Sequence, residues 1–255
     1  MASWSEVFDV VIVGAGFAGS ALGAVLAARG LRISVCDPHD AHPHDFGAEK
    51  LSVDQIDALE RLGLAAPALR AATPIGRLRA NLFVYRLPSE DWSRGFRADP
   101  VGVLNDQLPG LRAMLPPFAV ADAPSLRPIH LYAPPERIGD GVALIGDAYS
   151  TTCPAGGGGL RKALTDIERQ LTFLPRWLAP PRGIGAADIA SFYSDPWKRV
   201  SEANALRTGE VSRAMAIDPG LCWEARRQRN YYGLRMQSWL RRRPGARRAA
   251  ASGTM

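Results

Sequence analysis

Apolar residues run unbroken from Val10 to Val13 and stop at Gly14. An apolar run bounded by glycine predicts a buried parallel strand over 9–13. Residues 17–29 are rich in Ala and Leu and end at Gly30, which predicts a helix closed by a glycine cap. A second strand follows over 31–36 and ends at Asp37. Ser52-Val-Asp-Gln55 reads as a capping box, opening a helix with apolar positions at Ile56, Leu59 and Leu62 that Gly63 can end. Pro67 to Gly76 is ambiguous. Further strands are expected over 81–85, 129–133 and 142–145. Asp99-Pro100 is a cap followed by proline at the first helical position, starting a helix through Leu108. Four more helices are expected over 160–174, 186–193, 197–215 and 223–240. No internal repeat is visible.

The first strand, turn and helix carry Gly14, Ala15, Gly16, Phe17, Ala18 and Gly19, a G-x-G-x-x-G pattern between a strand and a helix. The first glycine permits a tight turn, the second lets backbone approach a pyrophosphate, and the third lets the helix pack on the strand. The helix N-terminus adds free N–H groups and partial positive charge. Asp37 stands where an acidic side chain can accept hydrogen bonds from an adenosine ribose. An acid there argues against a ligand with a 2′-phosphate. The plain alternative is a structural glycine turn, but strand, glycines, helix and acid together point to a dinucleotide.

A second constellation decides which dinucleotide. An expected strand delivers Gly146 and Asp147, and the chain continues through Pro154, Gly156, Gly157, Gly158 and Gly159 into a helix. Asp147 can hydrogen-bond a ribityl hydroxyl. Pro154 and the glycines can bring N–H groups against an isoalloxazine edge. The new helix aims its positive end where negative charge collects on flavin reduction. The bland reading is a flexible glycine loop; paired with the first motif, this segment points to FAD rather than NAD.

Composition changes little of this. Apolar residues make up 47% of 255, and the three cysteines, Cys36, Cys153 and Cys222, have no paired spacing. That argues against a disulfide scaffold and fits a reducing, cytoplasmic setting. His39, His42 and His44 sit in a Pro-rich turn without a fourth ligand, so no metal is expected. No signal peptide or membrane-spanning run is visible. Net charge is +6, and the arginines concentrate between Arg226 and Arg248. Such a run is ordinarily a solvated face. Interleaved with Tyr231, Tyr232 and Trp239, it also suits an anionic membrane surface; no specific nucleic-acid partner is expected. Trp177, Trp197, Trp223 and Trp239 follow helical segments and are expected in cores. Arg127 to Tyr132 is expected to be a strand alternating in and out, with a substrate-pocket role as the alternative.

The residues Gly14-Ala-Gly16-Phe-Ala-Gly19, Asp37, Glu49-Lys50-Leu51, Gly146-Asp147-Ala148, Pro154, Gly156 to Gly159, Lys162 and Asp166 resemble the class A FAD-dependent monooxygenases, the family similar to para-hydroxybenzoate hydroxylase. The resemblance covers roughly residues 6–75 and 78–240. It implies an α/β fold: a Rossmann-like FAD-binding domain with a parallel sheet, a reduced or missing substrate sheet and a helical C-terminal region. It implies FAD as cofactor, NAD(P)H as reductant, and O₂ and a small organic substrate as partners. The cofactor does the oxidative chemistry, so no catalytic triad is expected and catalytic residues remain unassigned.

Three departures from the family stand out. The two flavin motifs lie closer together than in family members, with a junction near 75–80, and the family's Asp-Gly segment touching FAD and NAD(P)H is missing. This reads as an internal deletion, with a natural minimal form as the alternative, because a parallel sheet stripped of strands leaves apolar faces uncovered. Gly47 stands where an arginine on the pyrophosphate is expected; Lys50 substitutes as a point charge. The Gly156–Gly159 loop is unusually glycine-rich and is expected to be floppy. The expected organisation is an FAD-binding domain over 1–175, a helical region over 176–240 and a basic disordered tail over 241–255. The expected function is an NAD(P)H-dependent flavin monooxygenase. A shortened, impaired FAD-binding protein is the alternative, and an NAD-dependent dehydrogenase the weaker one. Oligomeric state is not readable from the sequence.

Overall fold

The computed structural model describes residues 7–40, 51–71, 84–87, 89–108, 117–120, 129–132, 138–179 and 184–242. The chain separates into two compact units, one formed by residues 1–82 and 131–213 and the other by 83–130 and 214–255.

In the first unit, β1 (Val10–Val13), α1 (Phe17–Ala27) and β2 (Ile33–Cys36) form a βαβ unit. The strands pair in parallel, in register from Val10 opposite Ile33 to Val13 opposite Cys36. Asp9 anchors the start of the pair: its carboxylate accepts the Arg32 N–H at 2.8 Å and faces the Arg32 guanidinium. Gly30 closes α1 at φ +83, a left-handed conformation that costs glycine little. α2 (Val53–Arg61) opens on the expected capping box, with Gln55 Oε1 accepting the Ser52 N–H at 2.9 Å, and Gly63 ends it at φ +74. α3 (Ala65–Ala71) occupies part of the ambiguous stretch.

The core of this unit joins Ile12 of β1, Leu22, Val25 and Leu26 of α1, Leu59 of α2, and Leu164 and Ile167 of α6 (Gly159–Trp177). Each fully buried side chain of this size contributes about 1.5–3 kcal/mol. A second cluster packs Trp177 against Ile189 and Phe192, the latter two on α7 (Ala186–Tyr193). α8 (Pro196–Ile217) follows.

Among the described residues, helices cover one face of the sheet. Ile12 is buried beneath α1 and its register partner Val35 faces Gly23 of α1 beside it, whereas Val11 and Val13 on the opposite face are 58% and 86% exposed. The expectation of a strand buried on both faces is corrected: among the described residues the sheet has two strands, and helices cover one side.

The second unit carries α4 (Glu90–Ala98), α5 (Pro100–Gln107) and α9 (Leu221–Arg242). α5 begins as expected, with Asp99 Oδ1 accepting the Gly102 N–H at 2.8 Å. α4 is an addition to the expected elements. Its signal is present in the sequence: Ser89 caps it by accepting the Trp92 N–H, and Glu90 and Asp91 sit at its positive end.

Two expected strands fail, and a third lies mostly outside the described residues. Residues 84 and 85 are not strand, and 81–83 lie outside the described residues. Residues 129–131 are not strand either; Tyr132 makes an isolated bridge to Thr151, and residue 133 lies outside the described residues. Residues 142–145 have no strand neighbour among the described residues. There the Tyr193 hydroxyl takes the place of a ladder partner, accepting the Leu144 N–H at 2.6 Å and donating to the Leu144 carbonyl at 3.0 Å. The tryptophans divide as well: Trp177 is buried, Trp223 half-buried, and Trp197 and Trp239 are exposed, so the core expectation fails for the last two. Residues 243–255, most of the expected tail, lie outside the described residues.

Candidate functional site

The first glycine turn has the geometry its residues require. Gly14 adopts φ +100. A Cβ on Gly19 would stand 2.0 Å from the Gly14 carbonyl oxygen, so only glycine lets α1 approach the end of β1 this closely. A Cβ on Gly16 would meet nothing within 4 Å, so the turn opens outward. α1 starts there with no capping side chain and no acid in its first turn, leaving Gly16, Phe17 and Ala18 at a positive helix end.

Asp37 reaches this turn from the end of β2. Its Oδ2 accepts the Ala15 N–H at 2.6 Å, and its Oδ1 accepts the His39 N–H at 2.9 Å with the His39 ring Nδ1 at 3.0 Å. The Ala15 and His39 backbone bonds hold its carboxyl down to about 2. It is therefore an anion at neutral pH, with acceptor capacity left for a further donor.

The second glycine segment meets the first. Gly146 sits at φ +58, and a Cβ on it would lie 3.0 Å from the Ala18 Cβ, so the Gly146–Ala148 turn packs on the first turn of α1. Asp147 is exposed, and its backbone carbonyl accepts the Tyr132 and Thr151 hydroxyls. Pro154 opens a tight turn in which the Gly156 N–H bonds Cys153 O at 3.1 Å and the Gly157 N–H bonds Pro154 O at 2.9 Å. The glycines of this loop have a packing reason. A Cβ on Gly156 would come 2.9 Å from the Gly209 nitrogen, and one on Gly158 would come 3.2 Å from the Ala205 Cα, both on α8. Close backbone approach accounts for Gly156 and Gly158, and a left-handed φ of +64 for Gly157. α6 then starts at Gly159 with no capping side chain and no acid in its first turn. Lys50 and Gly47 lie outside the described residues.

Beneath the second turn lies a buried charge cluster. Asp166 Oδ2 accepts the Gly146 N–H at 2.8 Å, and Lys162 Nζ donates to the Gly146 carbonyl at 2.8 Å, so one peptide turn is clamped on both sides. Lys162 also donates to the Ser150 carbonyl and to Ser150 Oγ, and faces Glu202 Oε1 at 3.5 Å. Lys198 Nζ binds Asp166 Oδ1 at 2.6 Å and lies 4.3 Å from the centre of the Tyr149 ring. Two lysines thus face two carboxylates in a dry site. Burial pushes Glu202 above the ordinary glutamate range, although Lys162 and Lys198 pull it down. Burial likewise raises the Tyr193 hydroxyl, which stays neutral.

Sequence reasoning reaches Lys162 and Asp166 only through the family resemblance, and misses Ser150, Tyr193, Lys198 and Glu202. A signal existed. Lys162 and Asp166 are four apart on α6, and Lys198 and Glu202 are four apart on α8. That spacing ordinarily marks surface ion pairs. Here the pairs cross between helices.

Residues 7–97 match the family described as FAD binding domain. Squalene epoxidase erg1 of Schizosaccharomyces pombe is 39% identical over 57 residues, which cover 22% of this chain and 12% of that protein. No solved structure matches.

Proposed function

We propose that the protein binds FAD across its two glycine turns and acts as an NAD(P)H-dependent monooxygenase on a small organic substrate. The observation that carries this is the contact between Gly146 and Ala18, which brings two motifs distant in sequence onto one helix N-terminus. The residues present fit the cofactor. Gly16, Phe17 and Ala18 would receive the pyrophosphate at the uncapped end of α1, where the space beyond Gly16 is open. Asp37 would accept ribose hydroxyls and Asp147 a ribityl hydroxyl. The positive end of α6 would face the ring. On this reading the βαβ unit is the opening of a Rossmann-like domain. When bound, FAD would supply hydride acceptance and oxygen activation. The chain's own residues hold the geometry: Lys162 and Asp166 fix the Gly146 peptide. The name of the yeast relative, an epoxidase, is consistent with oxygen insertion.

A second reading is favoured by the exposure of Val11 and Val13 on the sheet face away from α1. It takes the chain as an FAD-binding module lacking a substrate site of its own. Reconstitution of the purified chain with FAD, followed by anaerobic NADH or NADPH, separates the two. A bound flavin spectrum that bleaches supports the monooxygenase. Bound flavin that stays oxidised supports the module. A colourless protein that binds NADH overturns both in favour of a dehydrogenase.

A further inference from the structure

α9 stands out on the molecule's surface. It carries Arg226, Arg227, Arg229, Arg235, Arg241 and Arg242 against a single acid, Glu224. Leu221, Tyr232, Met236 and Trp239 are 87%, 64%, 61% and 54% exposed. At 3.6 residues per turn these four fall on one stripe of the helix. Arg229 flanks the stripe on one side and Arg235 on the other, both exposed. Glu224 and the carbonyls of Met215 and Asp218 hold Arg227, joining the end of α8 to α9, while Arg235 donates to the Tyr231 hydroxyl at 2.9 Å and lies 5.5 Å from the centre of that ring. The one acid of the helix is thereby matched, and the stripe carries an excess of positive charge along it.

We propose that α9 is a membrane-surface helix whose Tyr232–Met236–Trp239 stripe lies in the interface of an anionic lipid bilayer, with Arg229 and Arg235 on the headgroup phosphates. Each part of the arrangement suits that occupant. Tyr and Trp favour the boundary between apolar and wet layers. Arginine stems lie along apolar surface while the heads reach outward. A helix with an apolar stripe and a cationic flank binds in the plane of the interface. No helix among the described residues is long and apolar enough to cross a membrane, so the contact is lateral. A second copy suits the stripe poorly, because arginines flanking both sides would meet arginines. A nucleic acid would use the charge and the rings but leave Leu221 and Met236 without a role. The basic sequence continues past the helix through Arg243, Arg247 and Arg248, which adds attraction to anionic lipid.

Co-sedimentation of the full chain with phosphatidylcholine vesicles containing about 30 mol% phosphatidylserine tests this. Binding is expected to these vesicles at low salt, to fall as salt rises, and to be lost on pure phosphatidylcholine. Arg229→Gln and Arg235→Gln should each weaken it about fivefold. Tyr232→Ser with Met236→Ser should weaken it about tenfold or more while the circular dichroism spectrum is unchanged. Absence of binding at low salt overturns the proposal. So does binding that the Tyr232/Met236 variant leaves intact, since the apolar stripe would then play no part. Retention on an oligonucleotide without vesicle binding, or a dimer that this variant dissociates without vesicle binding, overturns it as well.

Discussion

Two aspartates hold two glycine turns in this protein. Asp37 accepts the Ala15 N–H at 2.6 Å in the open, and Asp166 accepts the Gly146 N–H at 2.8 Å with no exposure at all. The bond is chemically the same, yet burial separates what each can do. Asp37 faces water, so its charge is screened and its free lone pairs can meet a ligand. Asp166 is buried against Lys198, so its charge must be matched from within, and it holds the Gly146 N–H of the turn in place. On the proposed reading Asp37 recognises the ligand, while Asp166 positions the turn beneath it.

Three substitutions put that contrast at risk. Asp166→Ala should have the largest effect, because it strands Lys198 and the Gly146 N–H in a dry interior. A loss of about 3–5 kcal/mol in urea unfolding is expected. A loss below about 1 kcal/mol would show that the cluster is wet and the contrast mistaken. Lys162→Met keeps the volume but removes the lysine's bond to the Ser150 carbonyl, leaves the Gly146 carbonyl with the Tyr149 N–H at 3.1 Å, and leaves Glu202 with a more distant countercharge. It should cost about 3 kcal/mol, and should lower FAD affinity only as far as the Gly146 turn moves. Asp37→Asn should leave the unfolding midpoint at neutral pH the least changed of the three, yet weaken FAD binding about tenfold in a fluorescence titration.

Asp37→Asn also has a pH signature. Its folded carboxyl is depressed to about 2, below the ordinary value of 3.8. Stability drawn from the charge is fully present above the ordinary value and is lost as pH falls through the depressed one. The difference in midpoint between wild type and Asp37→Asn should therefore hold above about pH 4 and close as pH falls towards about 2. A difference that instead opens on acidification would mean the carboxyl is raised.

The two faces of the sheet teach a related lesson. Ile12 is buried under α1 while its neighbours Val11 and Val13 stand in solvent. The unbroken apolar run is legible as a strand, but not which of its faces is covered. Coverage depends on how many strands and helices lie alongside. Among the described residues there are two strands with helices on one side, and Val11 and Val13 on the other side stay exposed. The same reason explains the failure of 142–145 as a strand. Its apolar residues suit extended chain, but a strand exists only with a neighbour, and here a tyrosine hydroxyl takes that place.

What the sequence determined by itself is local. The glycine turn, the acid at the end of β2, the caps at Ser52 and Asp99, and the helices from Gly159 onward all follow from φ preferences, hydrogen-bonding side chains and periodicity within a few residues. Those constraints act over one turn of chain, so they can be read in chain order. The tertiary structure decided the partnerships. Lys162 and Asp166, and Lys198 and Glu202, each have the spacing of an ordinary surface pair on one helix. Folding α8 against α6 exchanges the partners, joining Lys198 to Asp166 and Lys162 to Glu202, and buries all four beneath Gly146. Desolvation makes those cross-helix pairs obligatory, and it arises only once the helices have met.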